Sequence, residues 1–190
     1  MAMQENYFLT VLTPIADDAD SQLQHLDALE KQLEALRACA VSPFADCDMV
    51  HMARFVIIDE LPLQLGDTRR EFLSRNYLLF VAELSGQRDD FLDALYEHSA
   101  PLVSSIWGHC AGFPHRLHGA VYFRRYMQRH EIETLIPFAA VPNVPVGQIY
   151  DAIEAQSKLA QFIEEHPPWL TSDQKLFDDW RTTFGARKSY

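Results

Sequence analysis

Apolar and polar positions along this chain follow two different periods, and each predicts its own kind of element. Tyr7 to Thr13 (YFLTVLT) gathers β-branched and aromatic residues into one run that stops at Pro14, which predicts a strand. Asp17 to Ser21 then supply capping and acidic first-turn residues. Leu23, Leu26, Leu29, Leu33 and Leu36 follow at steps of three and four, which predicts an amphipathic helix with one apolar stripe. The stripe covers about two heptads, short of the ~3–4 that a coiled coil needs, so it reads as a helix facing a core.

Val50 to Asp59 (VHMARFVIID) and Tyr77 to Leu84 (YLLFVAEL) are the next two strands. Between them Glu60 to Asn76 is too long for a tight hairpin turn. A second helical region runs from Asp89 to Ile106 and breaks or restarts at Pro101. Trp107 to Pro114 reads as a glycine-punctuated loop, and Ala120 to His130 as a short helix. Leu135 to Val141 (LIPFAAV) forms a fourth strand, with Pro137 favouring an edge, and Val146 to Glu165 a final helix. Pro167 to Tyr190 is an extension that carries Trp169 and Trp180.

The order β-α-β-β-α-β-α is that of the split βαβ, ferredoxin-like arrangement. The expected class is therefore α+β, with a four-stranded antiparallel sheet and both long helices on one face. Residues 1–166 form that domain, and the extension 167–190 packs on it or on a partner. Neither face of the sheet is polar. Tyr7, Leu9 and Val11 alternate with Phe8, Thr10 and Leu12, and Leu79 and Val81 with Leu78 and Phe80. Helices cover one face only, and leaving the other wet would forfeit ~1.5–3 kcal/mol per large side chain. The expected cover is a second copy of the chain, sheet on sheet about a two-fold axis, with the folded-back extension as the alternative.

Composition narrows the function. The chain has 190 residues, 48% hydrophobic and 23% charged, enough for one sizeable core. Its 16 basic and 27 acidic residues leave a net charge of −11, the wrong sign for a nucleic-acid or anionic-membrane partner. No apolar run approaches the ~20 residues of a membrane span, and the first residues lack the pattern of a signal peptide. Three irregularly spaced cysteines, Cys39, Cys47 and Cys110, do not make a disulfide framework, so the expected compartment is the reducing cytoplasm.

The segments ARFVIIDE, YLLFVAEL and FAAVP, in this strand order and with a greasy second face, resemble the dimeric α+β barrel superfamily of ferredoxin-like proteins. Together with IWGHCAGFP and YMQRHEI they resemble an uncharacterised bacterial group within it. The resemblance spans about Tyr7 to Glu165 and implies a homodimer. Among the activities the superfamily offers are haem-dependent and cofactor-free oxidative enzymes, and no peroxidase signature appears here to carry over. The expected function is a homodimeric small-molecule-binding protein, with oxidative chemistry as one version of it. A non-catalytic oligomerisation or interaction protein is the alternative.

A few polar residues could anchor a ligand. His51 and Arg54 stand three apart on a strand, so the pleat sends them to opposite faces. A buried Arg54 needs a carboxylate, with Asp59, Glu60 and Glu83 in reach, or an anionic ligand. Tyr7, Trp107 and His109 complete the expected wall of a site between sheet and helices or at the dimer interface, and Arg125, which shares a helix face with Arg129, suits a carboxylate. Imidazole and thiolate gather at His109, Cys110, His115 and His118. No pair there has Cys-x-x-Cys or His-x-x-x-His spacing, so no metal site is assigned and haem is kept only as a version of the small-molecule reading.

Overall fold

The computed structural model describes residues 6–17, 22–45, 47–60, 72–115, 119–135, 144–167 and 172–185. In chain order these form β1 (Asn6–Pro14), α1 (Gln22–Arg37), β2 (Val50–Glu60), β3 (Phe72–Ser85), α2 (Arg88–Trp107), α3 (Ala120–Arg129), α4 (Val146–Glu165) and α5 (Asp173–Phe184). The chain divides into two units, Met1–Val146 and Gly147–Tyr190, each described below by itself.

In the first unit the α+β class holds, but the sheet differs from the expectation. Among the described residues it has three antiparallel strands in the order β1-β3-β2, not four. The expected fourth strand, Leu135–Val141, begins in a bend at Leu135 and otherwise lies outside the described residues. The outer edge of β1 is met instead by a shorter stretch. Glu131 bridges Val11, the Leu12 N–H donates to the His130 carbonyl at 3.0 Å, and the Ile132 N–H donates to the Thr10 carbonyl at 2.8 Å. Leu135 is 86% exposed, so its apolar side chain does not join the buried face that the strand pattern presupposed.

A second correction concerns the connection between β2 and β3. Glu60 pairs with Phe72, so β3 starts five residues before Tyr77 and takes up the end of the expected loop. Residues 61–71 lie outside the described ones.

Register explains which face is which. Leu9 pairs with Ala82 and Val11 with Phe80, while Phe55 also faces Phe80 and Ala53 faces Ala82. These residues, with Leu78 and Leu84, form the face under the helices. Above it lie Leu26, Leu29 and Leu33 of α1, Phe91, Leu92, Leu95, Val103 and Ile106 of α2, and Phe123 and Met127 of α3. Trp107 ends α2 in the middle of this core, edge-on to Phe80 at 5.3 Å and to Phe123 at 5.4 Å. α2 is kinked at Ser99 (φ −139°, ψ 38°), two residues before Pro101, whose ring and missing N–H break the helical ladder there.

The opposite face carries the rows Leu12–Leu79–Val56 and Thr10–Val81–Arg54. None of these residues belongs to the buried core, and on the edge strand Met52 and Val56 are 53% and 38% exposed. No helix among the described residues is long and apolar enough to cross a membrane.

The second unit is a helical pair. Phe162 of α4 meets Trp180 and Phe184 of α5 edge-on at 5.4 and 5.6 Å, and His166 Nε2 lies 2.9 Å from an Asp179 carboxylate oxygen.

Candidate functional site

A cavity of about 720 Å³ forms a cleft along the outer side of β2. One wall is the face of α1 that carries Glu30, Leu33, Glu34 and Arg37, at helical spacings of three and four. Its end is the turn Ser42–Pro43–Phe44, and its floor is β2 from Ala53 to Ile57. Phe44 stacks on Phe55 at 6.2 Å, and Phe55 leads inward to Trp107 at 5.6 Å. The cleft thus has an aromatic and aliphatic body with charges at its rim, the usual make-up of a ligand site. Arg54 and Arg37 form no ion pair among the described residues, so their charges face the rim and solvent.

A second, polar cavity of about 490 Å³ lies at the other end of the sheet, between Asn6–Phe8, Arg88, Gln128 and the stretch Glu131–Thr134. Tyr7 OH donates to Glu131 Oε1 at 2.5 Å, and Arg88 Nη1 donates to Glu131 Oε2 at 2.6 Å. Arg88 Nε also donates to Asp89 at 2.7 Å, where Gln128 Nε2 makes a further bond at 3.0 Å. Burial pulls the Arg88 pKa down, but bonding to Asp89 and Glu131 outweighs it and holds the guanidinium firmly charged. Burial first, then Glu131, push the Tyr7 phenol up, so it stays a proton donor. These bonds link Tyr7, Glu131, Arg88, Asp89 and Gln128 in one series, which makes it a brace between β1, α2 and α3.

The expected site residues separate accordingly. Arg54 lines the cleft, Tyr7 the polar cavity, and His51, Trp107, His109 and Arg125 line neither. Arg54 is exposed in the outer row with Val81, whereas at His51 the regular alternation is interrupted. His51 lies at the bulge between Val50 and Met52, with its Nε2 buried and unbonded. Trp107 is 1% exposed and its Nε1 has no acceptor among the described residues, although three phenyl rings surround it. Arg125 is exposed on α3, while its neighbour Arg124 takes the ion pair with Asp93 at 2.6 Å.

His109 Nδ1 stands 3.2 Å from His25 Nδ1, with the ring centroids 5.5 Å apart. The nitrogens therefore point almost directly at one another, as in a single N–H···N bond, rather than converging on a third point. Burial lowers the His109 pKa first, and the nearby His25 and His115 imidazoles lower it further. Cys110 turns away from this pair. Its Sγ accepts from Thr13 Oγ1 at 3.4 Å, and burial pushes its thiol up to about 11, so it is no nucleophile. Arg116 and His118 lie outside the described residues.

Among the described residues no three His, Cys, Asp or Glu side chains are placed to hold a metal ion. Of the histidines gathered in the loop after α2, His109 and His115 line none of the four cavities described, and His118 lies outside the described residues.

Sequence reasoning missed His25, Arg88 and Glu131. His25 sits between two leucines of the α1 stripe, at the position flanking a core-facing residue, and that placement was its only local signal. Arg88 and Glu131 are 43 residues apart and carried none. Comparison with family models, with curated proteins and with solved structures returned no match to this chain.

Proposed function

We propose that this chain is a ligand-binding protein that works as a homodimer, and that its site is the cleft between α1 and β2. The observation that carries the reading is the cleft itself: about 720 Å³, walled by Leu33, Phe44, Phe55 and Ile57, with Glu30, Glu34, Arg37 and Arg54 at its rim. Its size lies within the ~300–1,000 Å³ range of ordinary ligand pockets, and its few charges suit a small ligand that is apolar in its body and polar at its ends.

The open face of the sheet supports the dimer. Leu12, Leu79 and Val56 form an apolar row outside the buried core, and a second copy turned by a two-fold axis offers the same row. That row equally favours a second reading, in which self-association is the whole function and the cleft stays empty.

Two measurements test this. Light scattering should give twice 21.8 kDa for the wild type and 21.8 kDa for Val56→Glu. A screen of small apolar acids and amines, followed by NMR, should shift the resonances of Leu33, Phe44 and Ile57 together. Hits scattered over the surface, or none, would leave the second reading in possession.

A further inference from the structure

We propose that the occupant of the α1–β2 cleft is a short extended peptide, added as a strand to the free edge of β2. This rests on the reading of the cleft as the binding site and names the class of its ligand. The first support is the make-up of the floor. Ala53, Arg54 and Phe55 are consecutive, and the pleat of a strand sends the first and third to one face and the second to the other. A cavity that touches all three must run along the strand's edge, where their backbone lies.

β2 is the outer strand in the order β1-β3-β2. From Ala53 to Ile57 its backbone bonds only to β3 among the described residues, so within them that edge is open. About one residue in two of an edge strand therefore aims its N–H and C=O outward with no partner. Chains that must keep such an edge free use charged side chains, lysine above all, or proline, bulges or a covering element. β2 has no proline and no lysine, its two register shifts lie at its ends, Val50/Met52 and Ile58/Glu60, and Arg54 is the one charged residue between them. Between them Ala53 to Ile57 form a regular template about 17 Å long.

The shape of the cleft chooses between a peptide and the β2 of a second copy. α1 supplies a wall to a space outside β2, so this helix overhangs the edge of the sheet. A second copy pairing β2 on β2 would bring its own α1 into that same space. A lone strand brings no helix, and its alternate side chains would rise against Leu33, Leu36 and Phe44. Charge does not choose, because Glu30 and Glu34 are balanced by Arg37 and Arg54. Recognition then comes from main-chain bonds with apolar pockets for alternate side chains, the usual division in strand addition.

The test pans a library of acetylated hexapeptides, alternating apolar and polar residues, on the full-length protein and on Glu34→Trp and Glu30→Trp. Both substitutions fill the cleft from exposed positions of α1, so they leave the core untouched. Selected peptides should protect amides of residues 53–57 from hydrogen exchange. Methylating the peptide nitrogens that bond to β2, or filling the cleft, should weaken them about tenfold or more. Equal enrichment on the filled variants, or indifference to N-methylation, overturns the proposal. So does protection of residues 53–57 without peptide that vanishes on dilution, since the edge would then belong to a second copy. If fragments shift the cleft resonances while no peptide is selected, the cleft remains the site and only its assignment to a peptide falls.

Discussion

His25 and His109 join α1 to the loop after α2 through one nitrogen-to-nitrogen contact of 3.2 Å between their Nδ1 atoms. Such a bond needs one ring protonated at Nδ1 and the other bare. Protonating the bare Nδ1 leaves two N–H groups facing each other, and charging both rings sets two like charges side by side. The other charge acting on His109 is His115, also an imidazole, so no carboxylate in this set offsets the repulsion.

Stability should therefore fall with acid in the first unit. The folded-state pKa of His109 lies below its usual value near 6.5, so the unfolded chain binds the proton more readily. The contribution is present above about 6.5 and is lost as pH drops through the folded-state pKa. Urea midpoints at pH 7.5 and 5.0, compared between wild type and His109→Asn, measure it. A pH dependence identical in the variant assigns the effect elsewhere.

The helical pair α4–α5 should respond with the opposite sign. His166 donates to the Phe162 carbonyl, and with Asp179 at 2.9 Å this raises its pKa. A raised value means that the folded form holds the proton more tightly. The stabilisation is complete below about 6.5 and disappears as pH climbs through the folded-state pKa. NMR titration of the His166 ring should show this shift, and Asp179→Asn should reduce it.

The core should tolerate loss of the Trp107 indole N–H better than loss of ring volume. Phe80→Ala removes a ring that touches Phe44, Phe55 and Trp107 and should cost about 3–5 kcal/mol. Trp107→Phe also removes a buried donor that has no acceptor, which offsets part of its lost packing by about 1–3 kcal/mol. Chemical denaturation should rank Trp107→Phe well above Phe80→Ala in stability.

The brace at Glu131 should behave as a coupled unit. Tyr7→Phe removes one hydrogen bond and should cost about 1 kcal/mol, whereas Glu131→Ala strands both Tyr7 and one arm of Arg88 and should cost about 1–3 kcal/mol. In the double variant the penalties should fall short of their sum, because Tyr7 has nothing left to lose once Glu131 is gone. Strict additivity in a double-mutant cycle would show that the two residues do not act together.

The two kinds of periodicity were enough to place the three strands that the structure describes, the helix under the leucine stripe and the break near Pro101. Alternation along a strand is local geometry and gave the inner and outer rows of β2 from Met52 to Ile57, but the bulge at His51 interrupts it. The expected fourth strand shows where such reading stops. LIPFAAV has the composition of a strand, but all of it after Leu135 lies outside the described residues, and the partner shown at the edge of β1 is the stretch Glu131–Ile132 just before the chain bends at Leu135.

The sequence by itself determined an α+β chain, acidic, with too much apolar surface for one side of a sheet, because spacing and side-chain type act within a few residues. Only the tertiary structure decided that Arg88 meets Glu131, that His109 meets His25 and not Cys110, and that α1 and β2 wall one cleft. Those relations depend on strand order and on register between distant segments. They are set when the whole core packs, so no local pattern of residues carries them.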